Sequence, residues 1–333
     1  MAFDNIRLEK GLYTTGKSFT DALESIDPSE NYIGTELEGL DAFQRQLKRF
    51  DIKVSGKNSD CIDKFFRTTD SATLFPEYIS RSVYQGAQEN DILSKIIATV
   101  TNIEGMDYRT ISCPANDPEK VPQVVNEGSV IPETKITTQE HLIKLKKRGR
   151  VLSATYEVIR FQRLDLFTII LKQIGAAIAK YEFDDAIATL IAGDGNGNVI
   201  SEYTVENSGT LTYSDLVAFW NTFDPYNMTT MLTSSQDLET LLKMDEFRDV
   251  YSGLGFHSTG NLITPFGAEL CKTTIPEGLI IGLDKNFALE KVQCGGIVTE
   301  YDKLIDRQLE RASITTISGF AKISNEASKL LTV

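Results

Sequence analysis

Histidine is scarce in this chain, cysteine is scattered and apolar runs are short, and each shortage removes a class of function. Only two histidines occur, His141 and His257. With neither an H-E-x-x-H pair nor a G-x-S-x-G elbow, hydrolytic machinery has little material to work with, and Ser258 in GFHSTG stands at the wrong spacing for such an elbow. The four cysteines, Cys61, Cys113, Cys271 and Cys294, include no C-x-x-C pair, which fits reduced thiols better than a zinc knuckle or a disulfide framework. No apolar run approaches the roughly 18 residues that cross a bilayer, and the start, MAFDNIRLEK, lacks the apolar stretch of a signal peptide. A cytoplasmic product with no membrane partner is the expectation. Positive charge is short as well: 34 basic against 47 acidic residues leave a net charge of −13. Such a surface repels DNA, RNA and anionic lipid.

What the chain does have is bulk and one long helical pattern. Its 333 residues, 41% hydrophobic, suffice for one large domain or two ordinary ones. Between Ser153 and Asn198 apolar residues recur at helical spacing through Leu166, Ile170, Ile174 and Ile178, with a second row at Phe167, Leu171 and Ile174. The spacing predicts one helix over about 164–192, a rod about 40 Å long. It ends where Gly193, Gly195 and Gly197 permit a left-handed exit.

Upstream, Thr35 to Phe50 places Leu37, Leu40, Phe43, Leu47 and Phe50 on one helical face, with Thr35-x-x-Glu38 as a capping box. Pro76 in LFPEYISRSV speaks against a regular helix at that point, and Ile92 to Cys113 reads as extended. Pro118, Pro122, Pro132, Gly128 and Gly149 mark a long excursion over Pro114 to Arg150, with extended segments at ETKITT and HLIKLKKRGRVL. An excursion of that length is unusual within a compact domain, so contact outside the subunit is its expected purpose. From Thr212 the pattern changes to a small α/β alternation. A helix capped by Thr212 and Asp215 carries Leu216, Phe219, Trp220 and Phe223 toward a core, and the strand MTTML, a helix over Ser234 to Met244 and the strand GLIIGLD follow. The Thr-, Ile- and Ser-rich tail from Tyr301 returns as strands.

Each motif with chemical potential has a plain competitor. Gly11-x-x-x-x-Gly16-Lys17-Ser18 satisfies the Walker A pattern. A phosphate loop follows a buried strand, however, and Asp4, Arg7, Glu9 and Lys10 cannot fill one. A P-loop nucleotidase using Lys17 remains the rival from another functional class, with Leu279 to Asp284 as its second strand. GDGNGN offers oxygen ligands at Asp194, Asn196 and Asn198, but Val199 and Val205 stand where a calcium loop needs glycine and acid, so a helix-terminating turn is expected. Asp184 and Asp185, adjacent on the helix, point about 100° apart and are polar contacts rather than a catalytic dyad. No catalytic, cofactor-binding or metal-binding residue is assigned. The one basic concentration, Lys144, Lys146, Lys147, Arg148 and Arg150, lies on the returning limb of the excursion and is the candidate for contact with an acidic patch of another subunit.

The order of these parts resembles the major capsid proteins of tailed bacteriophages, with the Hong Kong 97-like fold. The resemblance is carried by EGSVIPETKITT in the excursion, VLSATYEVI before the long helix, YEFDDAIATLIAGDGNGN at its end, IIGLDKNFALEKV, and TISGFAKISNEASKLL, together spanning about residues 74 to 333. It implies an α+β subunit with residues 1–63 as an N-terminal helical, scaffold-like segment and 64–91 as an N-arm. Residues 92–113, 153–211 and 301–333 would form a peripheral domain around the spine helix, 114–152 an extended E-loop and 212–300 an axial domain. It further implies self-assembly into hexamers and pentamers of an icosahedral virion shell in a bacterial host's cytoplasm, enclosing double-stranded DNA without sequence-specific binding, alongside portal, scaffold or decoration proteins. In parts of that family a prohead protease removes the segment that residues 1–63 would represent. An encapsulin-type nanocompartment shares the fold and is the nearest alternative.

Overall fold

The computed structural model describes residues 3–14, 18–112, 124–129, 131, 137–248 and 262–333. In chain order its helices are α1 (Phe19–Ile26), α2 (Ala42–Arg49), α3 (Thr69–Thr73), α4 (Phe75–Glu89), α5 (Tyr156–Phe161), α6 (Leu164–Ala192), α7 (Tyr213–Asn221), α8 (Ser235–Lys243) and α9 (Asp245–Arg248). Its strands are β1 (Ile97–Asn102), β2 (Ile111–Ser112), β3 (Thr137–Thr138), β4 (Lys146–Thr155), β5 (Ser201–Thr204), β6 (Thr230–Thr233), β7 (Glu269–Lys272), β8 (Leu279–Leu283), β9 (Leu289–Gln293), β10 (Val298–Leu304), β11 (Leu309–Lys322) and β12 (Ser328–Thr332). Two units emerge: Met1–Asn90 with Arg148–Ala179 and Gly296–Thr316, and Asp91–Lys147 with Lys180–Gly295 and Ile317–Val333.

The first unit holds α1 to α5, the near part of α6 and an antiparallel hairpin of β10 with the start of β11. Side-chain caps start its helices: Ser18 for α1, Asp41 with Gln44 in a capping box for α2, Thr68 for α3 and Thr155 for α5. Its core joins Phe19, Leu23, Phe43 and Leu47 to Phe65, Tyr78, Leu164 and Leu171. Within this core Arg45 is fully buried, yet every face of its guanidinium is engaged. Nε meets Asp27 Oδ2 at 3.1 Å, Nη1 donates to Ser29 Oγ (2.8 Å) and the Leu40 carbonyl (2.7 Å), and the group lies 4.4 Å from the Tyr32 ring centre. Tyr32 in turn donates to Asp27 Oδ1 at 2.6 Å. A buried cation held this way is tolerable only because charge and donors are all matched.

Three expectations need correction here. The helix begins after Asp41 and not at Thr35: Gly39 sits at φ 81°, which interrupts the pattern, and Glu38 accepts from the Gly34 amide at 2.8 Å instead of closing a box. Pro76 does not prevent a helix, because it occupies the first turn of α4, where its missing N–H has no partner to lose. In α6 the row Phe167, Leu171, Ile174 and Ile178 packs on the core, whereas Leu166 and Ile170 of the other row are about half exposed.

In the second unit β12 lies between β5, parallel, and β8, antiparallel; β8 pairs β6, and β6 pairs β7 in parallel. The alternating tail thus inserts its last strand between β5 and β8 of this sheet. β1 and β9 pair in parallel, and β9 pairs antiparallel with the end of β11, from Ser318↔Gln293 to Lys322↔Leu289. Helix α7 starts at the expected Thr212 and Asp215 box and buries Leu216 and Phe219, but Trp220 is 42% exposed and belongs to the surface. Strands β6 and β8 and helix α8 fall where the sequence places them. α6 terminates at Ala192, and Gly193, Gly195 and Gly197 all adopt positive φ.

Candidate assembly surface

The excursion begins from a pinned root in the second unit. Strands β2 and β3 pair antiparallel, Ile111 opposite Thr138, and just below them the Tyr108 and Thr110 carbonyls accept from the Ile143 and Gln139 amides at 3.0 and 2.9 Å. Buried Glu290 on β9 holds the outgoing limb: Oε1 accepts from Thr101 Oγ1 (2.5 Å) and Tyr108 OH (2.8 Å), and Oε2 accepts from Thr110 Oγ1. Burial and the Glu290 charge push the Tyr108 hydroxyl up, which keeps it a donor.

The returning limb is held by the turn that follows α6. Asn196 Oδ1 accepts from the His141 amide at 2.9 Å, and its Nδ2 donates to Gln139 Oε1 at 2.7 Å. Asp194 Oδ1 in turn accepts from the Asn196 amide (3.1 Å) and Oδ2 from the Lys322 amide (3.0 Å), while the Asp194 amide donates to Asn198 Oδ1 at 3.0 Å. The side-chain oxygens of Asp194, Asn196 and Asn198 that suggest an ion loop are therefore spent on backbone amides. Among the described residues no group of three or more His, Cys, Asp or Glu is placed to hold a metal.

Beside this turn, Lys322 is buried to 1% exposure, with Nζ donating to the Leu190 carbonyl (3.3 Å) near the end of α6 and to Asn325 Oδ1 (3.0 Å). A helix C-terminus favours a cation, yet burial pulls the Lys322 pKa from 10.5 down to about 8, against the opposing pull of Asp194. Between these values the unfolded chain binds the extra proton, so this group adds stability as pH rises from about 8 toward 10.5 and none of it is present well below 8. In urea titrations at pH 7.5 and 10.5 the stability difference between the native chain and Lys322→Met is expected to shift by about 3 kcal/mol in favour of the native chain at the higher pH. A difference independent of pH would refute the assignment.

The basic limb is not a uniform patch. Lys146 Nζ is paired with Asp185 of the same chain at 2.7 Å, beside a cleft of about 330 Å³ whose lining includes Lys144 and Ser318, and Arg148 is half-buried with a partner of its own. Lys147 and Arg150 are exposed. Asp184 Oδ1 accepts from Thr274 Oγ1 at 3.0 Å, so both aspartates of the pair are polar contacts, as expected from their divergent directions. Sequence reasoning missed the apolar surface. Phe161, Leu166 and Ile169 are 73%, 52% and 52% exposed in the first unit, and Val124 and Ile131 of the excursion stand in solvent. A helical stripe does not reveal which of its rows faces the core, and this hides the signal.

Among the described residues no strand precedes Gly11 to frame a phosphate loop. A 3-10 turn, Lys10–Thr14, precedes Ser18, which accepts from the Asp21 amide as the α1 cap and donates to Asp21 Oδ2 at 2.6 Å. Asp284 accepts from the Asn227 and Asn286 amides, each at 3.0 Å. Lys17, Cys113, His257 and Ser258 lie outside the described residues.

Known proteins resolve what this arrangement is. Residues 138–284 match the family model described as phage capsid protein. The structure aligns with a virus-like particle protein from Pyrococcus furiosus over 77% of this chain and 98% of that one, with a TM-score of 0.54 at 15% identity. The capsid subunits of native and empty GTA particles align over 71% of this chain, covering 88% and 87% of theirs, with TM-scores of 0.53 and 0.50 at 14% and 15% identity. The chain has the Hong Kong 97-like capsid fold. No curated protein matches its sequence. The fold and the family match over residues 138–284 support a capsid shell protein. No described helix is long and apolar enough to cross a membrane.

Proposed function

We propose that the chain is a major capsid subunit whose copies form hexamers and pentamers of an icosahedral phage head around double-stranded DNA, assembled in the host cytoplasm with portal, scaffold or decoration proteins. In this reading residues 114–152 are the E-loop, 212–300 the axial domain, 64–91 the N-arm, and 92–113, 153–211 and 301–333 the peripheral domain. The observation that carries it is the exposed large apolar side chains, Phe161 on α5, Leu166 and Ile169 on the spine and Val124 and Ile131 on the loop, in a chain with a shell fold. A soluble protein rarely leaves several large apolar side chains together in water unless a partner covers them, and here the loop of a neighbouring copy is suited to do so. The net charge of −13 suits a container that must not adhere to DNA. Many modest contacts closed into a shell become collectively strong.

Negative-stain microscopy of the purified chain is expected to show capsomer rings or closed shells, and a monomer at every concentration would overturn the proposal. Nuclease-protected DNA inside particles from the producing host distinguishes a phage head from an encapsulin-type compartment, which would hold protein cargo. Because Lys146 and Arg148 serve their own chain, the test of the basic limb falls on Lys147 and Arg150. Lys147→Glu with Arg150→Glu is expected to cut shell yield at least tenfold while circular dichroism and the unfolding midpoint stay unchanged. Normal yield would remove the limb from the assembly surface.

A further inference from the structure

We infer that residues 1–63 are a permanent part of the folded subunit and not a segment that can be removed from it. The inference concerns folding within the first unit and stands whether or not the copies close into a shell.

Three independent sets of contacts bind this segment. The first is apolar: Phe19, Leu23, Phe43, Leu47 and Ile62 are buried in the same cluster as Leu164 and Leu171 of α6. Excising them would strip one side of the core and expose the rest to water. The second is polar and reaches α4. Arg81 donates to Asp41 Oδ2 at 2.7 Å and to Thr20 Oγ1 at 2.6 Å, lies 4.4 Å from the Phe43 ring centre, and keeps Glu77 as its own partner at 2.9 Å. Tyr13 OH donates to the Thr73 carbonyl at 2.8 Å.

The third set closes the start of the spine. The Leu164 amide, first in α6, donates to the Asp60 carbonyl at 2.9 Å, and the Ile62 amide donates to the Gln162 carbonyl at 3.0 Å. Arg163 donates to Ser59 Oγ (3.0 Å) and the Lys57 carbonyl (2.8 Å). A helix start leaves its first amides without intrahelical partners, and here the chain just before residue 63 supplies one. A scaffold built to leave would not hold a core side, a helix clamp and the spine terminus at once.

The test is a specific protease site inserted after exposed Arg67, cleaved under native conditions in the otherwise complete chain. Both pieces are expected to travel in one size-exclusion peak, with the 1–67 piece released only in denaturant. Its native release from a remainder that keeps a cooperative unfolding transition would overturn the inference. The second measurement needs no insertion: the intact mass of subunits taken from particles made in the producing host. Full-length mass is expected, and folded particles whose subunits begin near residue 64 would overturn it.

Discussion

Replacing Gly175 by alanine is expected to cost the chain about 3 kcal/mol or more, although in an exposed helix the same change gains about 1 kcal/mol. A Cβ at Gly175 would lie 1.9 Å from the Val83 carbonyl oxygen and 2.7 Å from the Ala87 amide nitrogen. Helix α4 answers with Gly86, whose Cβ would fall 2.2 Å from the Lys172 carbonyl oxygen. Both obstacles are the backbone of regular helices, which no rotamer change relieves, so the helices must separate. Separation would open the contacts around buried Ile79 and Val83 and stretch the Tyr78 hydroxyl from the Leu164 carbonyl (3.0 Å) and Thr168 Oγ1 (2.6 Å). Urea unfolding followed by circular dichroism measures the loss, and an unchanged or raised midpoint would refute the close crossing. Combining Gly86→Ala with Gly175→Ala is expected to cost less than the sum of the two, because either alone already parts the helices.

That crossing was invisible in the sequence, and the reason separates what was legible from what was not. The spine's limits follow from an unbroken helical spacing that meets a glycine cluster, both local, and Leu164–Ala192 coincides with the expected 164–192. The Thr212 box, α8 and β8 are likewise local. Gly86 and Gly175 acquire meaning only when two helices meet 89 residues apart in sequence. Pro76 misled because one residue type has opposite effects in the first turn and in the interior of a helix. At the candidate assembly surface the basic run was evident by composition, but its division into Lys146, held by Asp185, and exposed Lys147 and Arg150 requires the fold. The resemblance offered residues 1–63 as a scaffold-like attachment. Their burial against Leu164 and Leu171 depends on pairings across a hundred residues or more, for which local periodicity carries no signal.

Glu290→Ala is the second change with a large expected effect, and it bears on assembly directly. The carboxylate gathers three hydroxyls, from half-buried Thr101 and Tyr108 and from buried Thr110, so its removal takes the acceptor from all three, at a combined cost of about 2 kcal/mol. Two of those donors lie on the outgoing limb, whose carbonyls receive the Gln139 and Ile143 amides of the returning limb, so the loosening passes to both. Hydrogen exchange is expected to accelerate at Ile143 and Gln139 by tenfold or more while the Leu331 amide in β12, whose strand pairs with β8 and β5, keeps its protection. Thr110→Val removes one donor, leaves Glu290 two, and is expected to show a smaller effect of the same kind. If the loop is the element that reaches a neighbouring copy, Glu290→Ala must also lower shell yield more than its loss of stability explains, because a mobile root loses the orientation that each contact around a closing ring requires. Equal exchange at the root in native and Glu290→Ala chains would show that Asn196 alone fixes the limb, through the His141 amide and Gln139.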